Sequence, residues 1–267
     1  MPYVDLNGAH IHFTDTGGDK EIIVFSHGLL MSGAMFEAQI AHFRDRFRCI
    51  AFDHRGQGKS GVTNDGYDME TLADDAAALI DHLGAAPCHF VGLSMGGFIG
   101  MRLAARRPDL LKTLTLLDTS ADPEPTENVP KYRMLNVVAR WIGLWAVIGK
   151  VMPIMFGQSF LTDPAREDAR KRWSKSILGN HRIGITRAVA GVITRKGCRD
   201  LLGRINVPVG IGVGDEDVAT TPAKSESIHA AVRGSELVIF AQAGHSSSIE
   251  QPQQVNELIE RTIRRSE

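Results

Sequence analysis

Short β-rich runs alternate with helical patterns over the first 118 residues, and this alternation favours a sheet whose parallel strands are joined by crossover helices. The runs fall at residues 3–6, 10–14, 22–26, 47–52, 89–92 and 114–117. Asn7-Gly8 between the first two is a tight-turn signal and predicts an antiparallel hairpin at one edge. The later runs are almost continuously apolar, as strands covered on both faces must be. Leu72, Ala76, Leu79, Ile80 and Leu83 mark a helix at 3.6-residue spacing. Strand-like runs return at residues 207–213 and 236–240, and Val255, Leu258, Ile259 and Ile263 outline a closing amphipathic helix.

Residues 123–198 carry no strand-like alternation. Instead Trp141, Leu144, Trp145, Ile148 and Met152 repeat at helical spacing, which predicts one helix through them. The expectation is therefore an α/β core built from residues 1–120 and 200–267, a mostly parallel sheet with helices on both faces. A helical cap over residues 121–199 is inserted before the last strands.

At 267 residues the chain is long enough for one such core with an insertion. With 43% hydrophobic and 23% charged residues, and no apolar run of membrane-spanning length, neither a disordered nor a membrane protein is expected. A formal charge of −1 speaks against a nucleic-acid binder. The first residues lack the basic start and apolar run of a secretory leader, so a cytoplasmic location is the expectation. Cys49, Cys88 and Cys198 are odd in number and scattered, and they read as buried thiols rather than disulfide partners.

The chemistry concentrates at Gly92-Leu93-Ser94-Met95-Gly96, where a strand-like run passes directly into a helix-like one. A serine on so sharp a turn is lifted above the sheet, and small residues are needed two positions to either side. The turn also aims the backbone N–H of Met95 at the oxyanion that would form when Ser94 attacks a carbonyl. A serine hydroxyl needs a base, and His245, between the last strand and the last helix, is the histidine placed to serve. The acid that orients it should follow a strand between Ser94 and His245. Asp217 is favoured, Asp118 is the alternative, and Asp215 suits a turn-bracing role. Residues 26–30 follow another buried strand, and the N–H of Leu29 is the second oxyanion donor expected. His27 is expected to support that loop.

Taken in order, Ser26-His27-Gly28, Asp53-His54-Arg55-Gly56-Gln57-Gly58, the Ser94 turn, Asp217 and His245 resemble the α/β-hydrolase superfamily from end to end. Ala219-Thr220-Thr221-Pro222 and Gly244-His245 look like its esterase and 3-oxoadipate enol-lactonase branch. Acyl-homoserine lactonases, cofactor-free haloperoxidases, carbon–carbon bond hydrolases and non-catalytic receptors are related branches. The resemblance implies a cofactor-free serine hydrolase whose partner is a small-molecule ester or lactone.

Two decoys fail. Gly56-x-Gly58-x-x-Gly61 matches a dinucleotide fingerprint, but turn-like residues rather than a helix follow it, and it reads as a loop buttressing the site. Neither the histidines nor the cysteines show zinc-ligand spacing, so no metal is expected.

The cap should choose the substrate. Trp141, Trp145 and Met155, with Met134, Met152, Phe156, Met31 and Met35, are the side chains expected to line an acyl pocket, although such residues also build cores. Residues 129–200 hold fourteen Lys and Arg against four Asp and Glu. That excess suggests a lid attractive to an anionic substrate such as a dicarboxylate lactone, or a solvated helix face.

Overall fold

The computed structural model describes residues 2–267. Eight strands form one sheet in the order β1-β2-β4-β3-β5-β6-β7-β8. They are β1 (Tyr3–Leu6), β2 (Ala9–Asp15), β3 (Ile22–Ser26), β4 (Arg48–Phe52), β5 (Cys88–Leu93), β6 (Leu111–Leu117), β7 (Val209–Gly214) and β8 (Glu236–Phe240). The β1–β2 and β2–β4 pairs are antiparallel and every later pair is parallel. Asn7 and Gly8 both take positive φ, 49° and 75°, the backbone twist that joins β1 to β2 in a two-residue turn. Observed strand bounds differ from the expected ones by up to three residues, the largest change being at Leu111.

The described residues also form twelve α-helices: α1 (Glu37–Phe43), α2 (Met69–His82), α3 (Met95–Arg106), α4 (Val129–Trp141), α5 (Ile148–Met155), α6 (Gln158–Thr162), α7 (Glu167–Leu178), α8 (Arg182–Ile193), α9 (Arg199–Leu202), α10 (Pro222–Ala231), α11 (Ser247–Glu250) and α12 (Pro252–Arg264). Alternation along each strand sends side chains to opposite faces. Val24, Ile50, Phe52 and Phe90 pack with α2 and α3, while Phe25, Ala51, Val91 and Leu93 pack with α1 and α12. Among the described residues no helix is long and apolar enough to cross a membrane. All three cysteines are buried and free.

Between β6 and β7 the chain is helical, α4 to α9, but the single helix expected from Trp141 to Met152 is not present. Helix α4 ends at Trp141, Gly143 takes a φ of 136°, and a short 3-10 turn at Leu144–Ala146 precedes α5. The break resets the helical phase. Leu144, Val147, Val151 and Met155 become the buried stripe, while Trp141 and Trp145 are 77% and 69% exposed.

Candidate active site

Ser94 occupies the single-residue junction between β5 and α3 with φ 53° and ψ −110°, a region an L-residue enters only under strain. The strain is held by packing that larger residues would disrupt. A side chain at Gly92 would strike the Gly96 carbonyl, and one at Gly96 would strike the Ser26 carbonyl on β3. Ser94 N–H donates to Leu117 O at 2.8 Å, and Thr119 Oγ1 donates to Ser94 O at 2.8 Å.

Three loops at the carboxyl ends of β5, β7 and β8 bring Ser94, Asp217 and His245 into one hydrogen-bonded line. Ser94 Oγ lies 2.8 Å from His245 Nε2, and His245 Nδ1 lies 2.9 Å from Asp217 Oδ2. Because the carboxylate only accepts, Nδ1 carries the imidazole proton and Nε2 is left to accept from the serine. Burial opposes charge on His245, but the charge and hydrogen bond of Asp217, with help from Asp118 and Glu250, outweigh it and raise the imidazole above its ordinary value. Burial likewise opposes charge on Asp217, and there the attraction of His245 and the hydrogen bonds of Thr220 prevail, holding the carboxyl low.

The alternative acids do other work. Asp118 Oδ1 accepts the Gly214 N–H at 2.9 Å and Oδ2 accepts from the Ser247 backbone and hydroxyl, so it ties the end of β7 to the loop after His245. Complete burial and the nearby Asp217 charge push its carboxyl up to about 7. Asp215 accepts from Ala243 N–H at 3.3 Å and braces the β8 turn.

Leu29 and Met95 both line the neighbourhood of Ser94, Leu29 on the wall of the adjoining cavity and Met95 as the first residue of α3. Their loops are coupled by Gln57, a side chain that sequence reasoning passed over. Its Oε1 accepts the Leu30 N–H at 2.9 Å, and its Nε2 is 3.8 Å from Met95 Sδ. Asn180 Nδ2 adds a bond to Leu30 O at 2.9 Å. His27 is fully buried, donates from Nδ1 to Gly28 O at 2.7 Å and accepts the His54 N–H at 2.9 Å, which makes it a brace for this loop. The Asp53 carboxylate accepts from Gly33 N–H, Lys59 N–H and His12 Nδ1. The segment from Asp53 to Ser60 thus buttresses the loop through side chains and turns.

Thr220 and Glu250 were also missed. Thr220 Oγ1 donates to Asp217 Oδ2 at 2.8 Å and lies 3.2 Å from His245 Nδ1. Its position three residues after a favoured aspartate, in an Asp-x-x-Thr turn, was the available signal. Glu250 is recognisable only in three dimensions, since its partners are backbone groups.

A cavity of about 140 Å³ opens over Ser94 and His245. The helical insertion supplies most of its walls, among them Leu135, Val147, Val151, Met155, Ile185 and Val189. Met155 is on the wall, but Trp141 and Trp145 are not, and neither are Met134, Met152, Phe156, Met31 or Met35. The helix break at Gly143 turns the two indoles outward. Several basic residues of the insertion are paired away from the cavity: Arg172 pairs with Glu37 at 2.5 Å, Arg199 with Asp122, and Lys171 with Glu167 at 2.5 Å. Among the described residues Arg195 is the one Lys or Arg on the cavity wall.

Residues 21–252 match the profile of the alpha/beta hydrolase fold, and the chain belongs to that family. Its relatives include 3-oxoadipate enol-lactonase 2 of Acinetobacter baylyi, 27% identical over 92% of this chain and 90% of that protein. An enol-lactonase from Burkholderia xenovorans superposes with a TM-score of 0.91 at 28% identity, covering 98% of this chain and 100% of the other. A thermophilic esterase from Thermogutta terrifontis, solved with malate bound, superposes with a TM-score of 0.90 at 28% identity over 99% and 98% of the two chains.

Proposed function

We propose that this protein hydrolyses carboxylic esters or lactones through an acyl-enzyme on Ser94. The observation that carries this reading is the buried line Asp217–His245–Ser94, at 2.9 and 2.8 Å, ending on a serine held in a strained turn beneath a cavity. His245 takes the Ser94 proton as Oγ attacks the carbonyl carbon, and Asp217 orients the imidazole and stabilises its charged form. The carbonyl oxygen, now negative, accepts from the N–H groups of Leu29 and Met95. Collapse expels the alkoxide, which takes the proton from His245. Water activated by the same histidine then attacks the acyl-enzyme and releases the acid. For a lactone, ring opening leaves alcohol and acid on one molecule.

Residues 121–199 act as the cap in this reading, and the named activities of the enol-lactonase and esterase relatives support it. A cytoplasmic site of action accompanies it, supported by the three buried free thiols. The deciding experiment compares wild type with Ser94→Ala on p-nitrophenyl esters, acyl-homoserine lactones and an enol-lactone. Repeated turnover by wild type that disappears in Ser94→Ala is expected for at least one class. Absence of turnover by folded wild type on all of them would overturn the proposal and favour a binding protein or a carbon–carbon bond hydrolase.

A further inference from the structure

Apart from His245 and the Tyr132 phenol, the ionisable side chains on the cavity over Ser94 among the described residues are one acid and one base, and they are bonded to each other. Arg195 follows α8, Glu124 precedes α4, and Arg195 Nη1 donates to Glu124 Oε2 at 2.7 Å. The two side chains are 4% and 10% exposed. Arg195 also donates to Val192 O at 2.9 Å and Asp122 O at 3.2 Å, and its guanidinium lies 4.4 Å from the centre of the Phe98 ring. Phe98 is one helical turn beyond the nucleophile, its N–H donating to Ser94 O at 3.0 Å. The one cation on the wall is therefore near the reacting centre and already neutralised.

We infer, on the basis of the hydrolase reading above, that Glu124 and Arg195 set the charge selectivity of the acyl pocket, which takes a compact uncharged acyl group and rejects one carrying a carboxylate. Most of the remaining wall is apolar, including Val151, Val189, Val192 and Ile193, and its polar members besides the reacting groups, Tyr132, Asn136, Thr186 and Thr220, carry no formal charge. An anionic acyl group would be stripped of water there, would find the guanidinium occupied, and would face the Glu124 carboxylate. An uncharged group loses no such hydration and gains contact with the walls. The volume of about 140 Å³ is close to that of a cavity of roughly 150 Å³ that holds benzene, so a five- or six-atom acyl group or ring fills it. This is the opposite of the dicarboxylate substrate that the basic insertion suggested, because among the described residues only Arg195 of those basic side chains reaches the cavity wall, and it is already paired.

The test uses methyl pentanoate and monomethyl glutarate, which differ chiefly in a terminal carboxylate, with hydrolysis followed by pH-stat. Wild type is expected to prefer the neutral ester by about a hundredfold in kcat/KM. Glu124→Gln keeps the shape but leaves the Arg195 charge unopposed, and should narrow that preference at least about tenfold by improving the anionic ester. The double variant Glu124→Gln/Arg195→Gln removes both charges and should restore preference for the neutral ester. If wild type handles both esters equally, or if folded Glu124→Gln leaves the ratio unchanged, the pair merely joins the two ends of the insertion and the inference is wrong. Binding of the same esters to Ser94→Ala, followed by NMR titration, gives the comparison without turnover. Selective binding alongside an inactive wild type would sink the hydrolase reading while sustaining this one, and equal binding would sink this one alone.

Discussion

Glu250 grips the peptide groups on both sides of His245: its Oε1 accepts the Ser246 N–H at 3.1 Å and its Oε2 accepts the Gly244 N–H at 3.1 Å. The same Oε2 accepts the Gly157 N–H at 2.8 Å, between α5 and α6. One buried carboxylate thus fixes the imidazole-bearing loop and docks the insertion against it. A glutamine offers one acceptor oxygen for three donors, so Glu250→Gln should lower kcat/KM by about ten- to a hundredfold through misplacement of His245. Steady-state kinetics beside circular dichroism would check this, and unchanged kinetics would reduce Glu250 to a structural spacer.

The acid limb of activity should lie above the ordinary imidazole value of 6.5, because attack on a carbonyl needs neutral His245 and the net effect of its surroundings is to raise its pKa. Removing the carboxylate charge with Asp217→Asn should move that limb to lower pH and cut kcat by about 10⁴-fold through loss of the correct tautomer. A pH profile of kcat/KM for both proteins distinguishes these effects. A limb that stays in place in the variant would show that Asp217 does not set the His245 titration.

Asp118 and Glu250 should each contribute stability at acid pH that is lost as pH rises towards neutrality. Asp118, ordinarily at 3.8, and Glu250, ordinarily at 4.5, are both pushed up to about 7, chiefly by burial. Each binds its proton more tightly folded than unfolded, so between those ordinary values and about 7 the folded protein retains protons that the unfolded chain has lost. His245, also raised, acts in the same direction above 6.5. His27, His54 and His89, held below their ordinary value chiefly by burial, act in the opposite direction up to 6.5, so the measurement is the difference between wild type and Glu250→Gln. The urea midpoint of wild type relative to that of Glu250→Gln is expected to decline from pH 5 to pH 8, and a difference that stays constant or grows across this range would contradict the assignment.

Gln57 should matter to turnover more than to binding, since it positions the segment bearing the Leu29 N–H rather than the acyl wall. Gln57→Leu is expected to lower kcat by about tenfold with KM little changed, a fraction of the 10²–10³ that loss of a whole oxyanion donor costs. Pre-steady-state acylation rates would test it, with an unaltered burst rate as the contrary result.

Trp141→Ala and Trp145→Ala should leave kcat/KM within about twofold and stability within about 0.5 kcal/mol, as expected for solvent-facing side chains away from special features. Val151→Trp, by contrast, fills a cavity of about 140 Å³ and should exclude larger acyl groups first. A panel of p-nitrophenyl esters from acetate to octanoate reads both expectations.

The core was legible in the sequence because its strands are covered on both faces, and burial on both faces leaves continuous apolar runs. The junction at Ser94 was legible for a related reason: a backbone forced to φ 53° between close-packed strands demands Gly92 and Gly96 at fixed spacing. The helical insertion was read less well. Gly143 interrupts the spacing that joins Trp141 to Met152, and whether an apolar side chain at a helix end turns inward depends on the dihedrals at the break. Charge was opaque as well. The fourteen basic residues of the segment are visible in sequence, but the acids that meet Arg172, Arg199 and Arg195, namely Glu37, Asp122 and Glu124, lie outside it, and only folding pairs them. By itself the sequence determined the sheet and the order of Ser94, Asp217 and His245 along it, because local backbone geometry and periodic burial are written in neighbouring residues. Tertiary structure alone decided which of Asp118, Asp215 and Asp217 meets the imidazole, and that the pocket's one cation is neutralised, because both depend on contacts between segments far apart in the chain.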